Sequence, residues 1–69
     1  MSKMREETII KVLNRYPCST AVEIAKFAWQ EHNVDMSPSI INGLMRTMKK
    51  QAIVGSSKND RNTQVYWLV

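Results

Sequence analysis

The fold is decided by the stretch SPSIINGLMRTMKKQAIV, residues 37–54. Ser37 is a good N-cap, because its hydroxyl accepts hydrogen bonds from amides of a first helical turn. Pro38 suits the first helical position, where its missing N–H costs nothing. The stretch therefore predicts a helix that starts at Pro38 and ends near Gln51. Its apolar residues recur at helical spacing and form one stripe, Ile41, Leu44, Met45 and Met48.

Two helices are predicted before this stretch. The first covers about residues 4–15, and Pro17 ends it because the residue before a proline avoids the α region. The second begins at Thr20, since TAVE at residues 20–23 has the form of a capping box, in which two side chains accept each other's backbone N–H. It runs to about Glu31. The inward stripes are Ile9, Val12, Leu13 and Tyr16 in the first helix and Ile24, Phe27 and Ala28 in the second.

The pattern changes to strands in the last part of the chain. Residues 53–56 predict a short strand, residues 57–62 a polar turn, and residues 63–69 a strand rich in β-branched and aromatic residues. The elements together predict an α+β fold in one domain, residues 1–69, with three helices followed by a two-stranded antiparallel hairpin. A short extra strand near residues 18–19 remains open.

The connecting turn and the last strand should complete the core. Val34 or Met36 is expected to close the core from the turn after the second helix. The last strand should bury residues of one parity, and we expect Leu68 to be fully buried. The two possible inward sets are Tyr66 with Leu68 and Val65 with Trp67.

Length and composition exclude several classes of function. A chain of 69 residues with 43% hydrophobic residues is a small globular domain with little room for an enclosed active site. No catalytic set, phosphate loop or metal-ligand spacing is present, so we expect neither an enzyme nor a cofactor, metal or small-molecule ligand. No apolar run is long enough for a membrane span, and the first residues lack a signal core. We therefore expect a cytoplasmic protein, associated with the nucleoid if it is bacterial.

Two single residues carry separate expectations. Cys18 is the only cysteine, so it cannot form an internal disulfide, and we expect a buried structural thiol in a reducing compartment. Trp29 lies off the inward stripe of the second helix. We expect it to cover the hairpin, and the alternative is a dimer contact.

The net charge of +4 lies entirely in the second half of the chain. Residues 1–35 contain five Lys or Arg and five Asp or Glu, which sum to zero, whereas residues 36–69 contain five Lys or Arg and only Asp60. A neutral scaffold that carries a basic helix and a basic loop is typical of a protein that binds a polyanion.

The order helix, capped helix, turn, capped helix, hairpin resembles a winged helix-turn-helix domain. The TAVEIA segment at residues 20–25 resembles the family's second-helix start. Ile41, Met45, Met48 and the Ala52-Ile53-Val54 run resemble its third helix and entry into the hairpin. Tyr66-Trp67-Leu68 resembles its returning strand. The likeness spans about residues 5–69, and it implies the same fold and a role in binding DNA.

One departure from the family concerns Ala52, where the resemblance implies glycine. A left-handed alanine there would cost about 1 kcal/mol. The alternatives are a helix that ends one residue earlier, or a closure without that geometry.

The third helix carries the candidate interface. If its apolar stripe faces inward, Ser39, Asn42, Gly43, Arg46 and Lys50 form a single outward stripe. Arg46 can pair with guanine or hold a phosphate, and Asn42 can pair with adenine. Lys58 and Arg61 lie in the predicted wing and suit phosphate or minor-groove contact. A solvated, functionless helix face is the competing interpretation. The nine candidate DNA-binding residues are Ser37, Ser39, Asn42, Gly43, Arg46, Lys49, Lys50, Lys58 and Arg61.

The resemblance implies a small transcriptional regulator that binds double-stranded DNA, with the third helix in the major groove and the wing on the backbone. One module covers a short site, which leaves a homodimer open. The main alternative is a winged helix that serves as a protein-interaction module in a larger complex. A minor alternative is binding of Z-form DNA, because Asn42 and Trp67 resemble an asparagine and a tryptophan of Zα domains. Arg46 stands where that family has tyrosine, and Gln64-Val65 stands where it has paired prolines.

Overall fold

The computed structural model describes residues 2–69, with side chains from residue 4 onward, and confirms the α+β class. Its three helices and three strands follow the predicted order, apart from a short strand before the second helix. The elements are α1 (Ser2–Arg15), β1 (Ser19–Thr20), α2 (Ala21–His32), α3 (Pro38–Lys50), β2 (Val54–Lys58) and β3 (Gln64–Leu68).

The sheet has three antiparallel strands in the order β1-β3-β2. The two-stranded hairpin was therefore an incomplete prediction, and the extra strand that was left open near residues 18–19 is present as β1, one residue later. The strand β1 pairs with the centre of β3, where Ser19 lies opposite Tyr66. It has only two residues, because α2 starts immediately after it. The pairing places the start of α2 beside the hairpin.

The hairpin turn is shorter than predicted, since β2 continues to Lys58. Lys58 lies opposite Gln64, and the turn occupies the residues between them. The Asn59 N–H donates to the Thr63 carbonyl at 2.9 Å. The Asn59 side-chain oxygen accepts from the N–H groups of Arg61 and Thr63 at 2.9 and 3.0 Å. Hydrogen bonds within the turn therefore hold the tip of the hairpin.

Both predicted N-caps are present. The Glu23 N–H donates to the Thr20 hydroxyl at 3.2 Å, and the Thr20 N–H donates to the Glu23 carboxylate at 2.8 Å, which completes the capping box. The Ser37 hydroxyl accepts from the Ile40 N–H at 3.3 Å, and Pro38 is the first residue of α3. These contacts satisfy amides that have no partner inside their helices.

The end of α3 adopts the strained geometry that the resemblance implied. Ala52 has a φ of 58°, in the left-handed region. Its N–H donates to the Lys49 carbonyl, and the Ile53 N–H donates to the Met48 carbonyl, both at 3.0 Å. This pair of bonds is a Schellman motif, which normally has glycine at the left-handed position. Alanine therefore occupies a position that favours glycine.

The core lies between the three helices and the inner face of the sheet. Met36, rather than Val34, is the buried residue of the connecting turn, and Tyr66 is the buried residue of β3. Two core predictions were wrong, because Leu44 and Leu68 are only partly buried. Leu68 is the last residue of β3, at the edge of the paired region. The buried apolar residues are Ile9, Val12, Leu13, Ile24, Ala28, Met36, Ile41, Met45, Met48, Val54 and Tyr66.

The burial of Leu44 is limited by its place on α3. Ile40, one helical turn earlier on the same side, is itself exposed. That side of α3 is therefore not fully covered by another element. The residues nearer the centre of the stripe, Met45 and Met48, are fully buried.

The prediction of a buried Cys18 was also wrong. Cys18 is exposed and has a φ of 63°. Ser19 is buried instead, and its hydroxyl donates to the Tyr16 carbonyl at 2.6 Å. Trp29 is 57% exposed, so more than half of its surface is open to solvent, and its expected contact with the hairpin stays a prediction.

Aromatic stacking and a polar cluster join α1 to α2. The Tyr16 and Phe27 rings are stacked with centroids 3.8 Å apart, and the Tyr16 hydroxyl donates to the Glu31 carboxylate. The Arg15 Nε donates to the Tyr16 hydroxyl at 3.2 Å and lies 3.8 Å from the Glu31 carboxylate. The hydrogen bond to Tyr16, and then the nearby Glu31 charge, raise the pKa of Arg15 above its ordinary value.

Within the described part of the chain, no helix is long and apolar enough to cross a membrane.

Candidate nucleic-acid interface

All nine predicted site residues are exposed. Six of them lie on α3, which contains no acidic residue. Ser37 caps that helix, Lys58 ends β2, and Arg61 lies in the hairpin turn. The outward stripe of α3 is therefore free to contact another molecule.

A groove of about 450 Å³ runs beside this helix. It is lined by Asn42, Arg46 and Lys49 of α3 and, from the hairpin, by Thr63 in the turn and Gln64 at the start of β3. Ala21 and Val22 at the start of α2 also line it. The strand β1 makes this arrangement, because its pairing with β3 brings the start of α2 next to the hairpin. Apolar groups also line the groove, from Ala21, Val22, Pro38 and Met45.

Lys58 belongs to the same side of the molecule. It lies directly opposite Gln64 in the β2–β3 pairing, and directly opposite residues project from the same face of a sheet. Tyr66, two residues after Gln64, projects from that face as well. The Gln64 side-chain amide donates to the Ser56 hydroxyl at 2.9 Å, which holds it along the sheet. The pairing thus places a basic side chain of the hairpin beside the groove.

A hydrogen bond between Tyr66 and Asn42 joins the sheet to α3. The Tyr66 hydroxyl donates to the Asn42 Oδ1 at 2.8 Å. Tyr66 is 5% exposed, and burial raises its pKa above the ordinary value of 10.0. The hydroxyl therefore keeps its proton and remains a donor to the Asn42 amide at neutral pH.

Tyr66 is one of the lining residues that the sequence did not indicate as a site residue. It is 24 positions from Asn42, so no local spacing connects the two. The strand pattern indicated only that one parity of the last strand would be buried. The sequence thus indicated only that Tyr66 could be buried. The role of its hydroxyl depends on how the sheet packs against α3.

The basic residues of the site have no acidic partner among the described residues. The ion pair that the described residues do contain lies away from the site, and it joins Arg15 of α1 to Glu31 of α2. Arg46, Lys49 and Lys50 therefore retain their hydrogen-bonding capacity for a ligand. Each such side chain offers only donors, which suits phosphate oxygens and the acceptor atoms of bases.

The described residues contain no group of three or more His, Cys, Asp or Glu side chains placed to hold a metal ion. Comparison with known proteins gives no matching family model, no matching curated protein and no matching solved structure.

Proposed function

We propose that this protein is a winged-helix domain that binds double-stranded DNA and acts as a small transcriptional regulator. In this proposal α3 enters the major groove, and the hairpin is the wing that contacts the backbone. The observation that carries it is that Arg46 and Lys49 of α3 line one groove together with Gln64 of the hairpin, and that Lys58 lies directly opposite Gln64 in the β2–β3 pairing. These cations come from elements distant in sequence, and α3 contributes no acidic residue.

The arrangement of elements supports the same proposal. In sequence β1 lies between α1 and α2, and in the sheet it pairs with β3 at the edge of the hairpin. A winged helix with a three-stranded sheet has the same arrangement. The helix α3 exposes a stripe of small and basic residues, which can approach DNA closely. A Cβ added at Gly43 would meet no other side chain or element of the described chain within 4 Å, so the surroundings of this glycine are open. Arg46 and Lys50 follow it on the exposed stripe.

The roles of the cations differ in this proposal. Arg46 lies in the middle of α3 and is suited to the acceptor edge of guanine or to a phosphate. Lys58 and Arg61 lie on the hairpin and are suited to phosphates, which position a protein without reading sequence. A single module of this size covers a short site, so specific control would use two copies on a two-fold operator.

The test compares two triple variants with the same loss of charge. Arg46→Ala/Lys50→Ala/Arg61→Ala removes three cations from the proposed interface. The control, Arg5→Ala/Lys11→Ala/Lys26→Ala, removes three exposed cations from α1 and α2. Both reduce the net charge of +4 by three, so long-range attraction falls by the same nominal amount. Circular dichroism establishes that each variant is folded.

Binding to a random duplex is measured as a function of salt. Each lost phosphate contact should reduce the slope of log K against log salt by about 0.9. We expect a reduction of about two to three units for the interface variant, and little change for the control. Equal slopes for the two variants would refute the proposed surface. An NMR titration of the wild type with the same duplex then shows whether α3 and the hairpin are the elements that shift.

A second candidate function is favoured by the exposed apolar surface of α2. Val22 is 67% exposed and Trp29 is 57% exposed, and they lie two helical turns apart on the same face. Together with the exposed Lys26 between them, these two apolar side chains offer a surface on which a protein partner could pack. If the folded wild type binds no duplex at low salt, and Trp29→Gln abolishes a protein contact, this candidate replaces DNA binding.

Binding of Z-form DNA stays a minor prediction. Asn42 lines the groove, but the described lining residues do not include Trp67. The indole of Trp67 lies across Gly55 on the neighbouring strand, where a Cβ on residue 55 would be 2.7 Å from the indole nitrogen. Circular dichroism of an alternating dC-dG duplex tests it, because conversion to the left-handed form inverts the DNA spectrum.

A further inference from the structure

We propose that Gly43 leaves a notch on the exposed face of α3, and that this notch receives the C5-methyl group of a thymine. The missing side chain makes Gly43 a specificity-determining residue in this proposal. Its role rests on the proposed function, because thymine shows its methyl group to an element that enters the major groove.

Gly43 is unfavourable for the helix that contains it. It lies in the interior of α3, where glycine is the least favourable residue after proline. Its φ is not in the left-handed region, so the backbone does not require glycine. Beyond its chain neighbours and the helix backbone, a Cβ at this position would have no atom of the described residues within 4 Å. Contact with a partner is therefore a reason for glycine here that the described fold does not supply.

The notch has two different sides. Residues three and four positions apart are neighbours on a helix surface. Ile40 and Thr47 therefore border Gly43 on one side, and Ser39 and Arg46 border it on the other. All five residues are exposed. Since none of the bordering side chains comes within 4 Å of the missing Cβ, the notch is open to a ligand.

The two sides favour different groups of a ligand. Ile40 is a large apolar side chain that is 37% exposed, and Thr47 carries a methyl group, so this side favours an apolar group. Arg46 offers only hydrogen-bond donors, so the other side favours an acceptor. Among the four bases, thymine combines a methyl group with an acceptor, O4, at its major-groove edge. Thymine is therefore the base that matches the notch.

The size of the notch predicts a reversal of preference. The thymine methyl group can occupy the place that a Cβ would take at Gly43. The variant Gly43→Ala would fill that place with its own methyl group and crowd a thymine. Uracil, which is thymine without the methyl group, would still fit the variant. The wild type should thus prefer thymine, and Gly43→Ala should prefer uracil.

The experiment begins with selection of a preferred duplex from a random library by the wild type. Each thymine of that duplex is then replaced in turn by deoxyuridine, which removes one methyl group and keeps every hydrogen-bonding group. Fluorescence anisotropy at one salt concentration measures the affinity of the wild type, of Gly43→Ala and of the control Lys58→Ala for each duplex.

We expect the wild type to lose about 4-fold in affinity at one thymine position, the factor for one buried methyl group. Gly43→Ala should bind the thymine duplex at least about 5-fold more weakly than the wild type does, because the added group overfills the contact. It should bind the duplex with uracil at that position more tightly than the thymine duplex. Lys58→Ala should weaken binding to both duplexes by the same factor, since a phosphate contact does not read the base.

Stability separates this role from a structural one. Gly43→Ala should raise the thermal midpoint of the free protein by about 4–8 °C, because alanine is more favourable in a helix interior. Weaker binding by a more stable variant cannot come from unfolding. A merely structural role for Gly43 would change the midpoint and leave the preference between thymine and uracil as in the wild type.

A further duplex separates thymine from the methyl group alone. Replacing the identified thymine by 5-methylcytosine, with guanine opposite, keeps the methyl group and puts the N4 donor in place of the O4 acceptor. We expect weaker binding, because Arg46 has no acceptor for that donor. Equal affinity for the two duplexes would overturn thymine as the ligand of the notch.

The remaining outcomes distinguish this role from the proposed function. A wild type that binds duplex DNA without any methyl-dependent position would overturn the role of Gly43 and leave DNA binding intact. So would a Gly43→Ala variant that keeps the preference for thymine. A folded wild type that binds no duplex would overturn the proposed function, and the role of Gly43 with it.

Discussion

Replacing Ala52 by glycine should stabilise the protein. Ala52 is held at a φ of 58° by the closing bonds of α3, and a left-handed alanine costs about 1–2 kcal/mol through the contact of its Cβ with the backbone. Glycine removes that contact but has more backbone freedom in the unfolded chain, which offsets about 0.4–1 kcal/mol. The net expectation is a gain of about 0–1.6 kcal/mol in the free energy of unfolding, with a midpoint of about 0.8 kcal/mol.

The change is measured by urea unfolding followed by far-UV circular dichroism, and by the thermal midpoint. For a domain of this size, a gain of 1 kcal/mol raises the midpoint by about 4–8 °C. The slope of free energy against urea should stay unchanged, because the substitution hardly alters the surface buried on folding.

The matched control is Ala25→Gly, the same chemical change in the interior of α2. At a helical φ, glycine is less favourable than alanine by about 1 kcal/mol, so this variant should lose stability. The two substitutions are therefore expected to have opposite signs. If Ala52→Gly lowers the midpoint as Ala25→Gly does, the left-handed closure of α3 is refuted.

Three further predictions concern burial and packing. Burial raises the pKa of Tyr66 above 10.0 in the folded protein, so its protonated hydroxyl contributes stability below the pKa of the unfolded chain. This contribution is lost as the pH rises through the pKa of the folded state. Tyr66→Phe should therefore reduce the loss of unfolding free energy at alkaline pH, which urea unfolding at several pH values measures. Gly55→Ala should destabilise by about 1–3 kcal/mol and shift the fluorescence of Trp67, because the new Cβ would lie 2.7 Å from its indole nitrogen; an unchanged midpoint would contradict this close packing. Leu13→Ala should cost about 2.7–5 kcal/mol and Leu44→Ala clearly less, since Leu13 is fully buried and Leu44 is not; equal losses in urea unfolding would contradict the difference in burial.

The helix starts and the exposed stripe of α3 could be predicted because their causes are local. A capping box needs two side chains three residues apart, and Ser37-Pro38 needs only adjacent residues. The same holds for the exposure of Asn42, Arg46 and Lys50, which follows from a strong apolar stripe on the opposite face of one helix. Residues this close in sequence meet in the helix whatever surrounds them.

The candidate site could be predicted only in part. The sequence indicated the basic residues of α3 and of the hairpin, but it contained no sign that Lys58 pairs with Gln64 beside the groove. It also gave no sign that the Tyr66 hydroxyl, on a strand distant in sequence, donates to the Asn42 oxygen. The chemistry offered by a side chain depends on which of its atoms the fold has already used.

The sequence by itself determined the helices, their caps, the hairpin and the concentration of charge in the second half, since each depends on residue type and short spacing. Only the tertiary structure decided the pairing of β1, the exposure of Cys18, the partial burial of Leu44 and the bond between Tyr66 and Asn42. The physical reason is that burial and hydrogen-bond partners are settled when distant elements pack. A periodic pattern gives the direction in which a side chain points, and packing alone determines what it meets there.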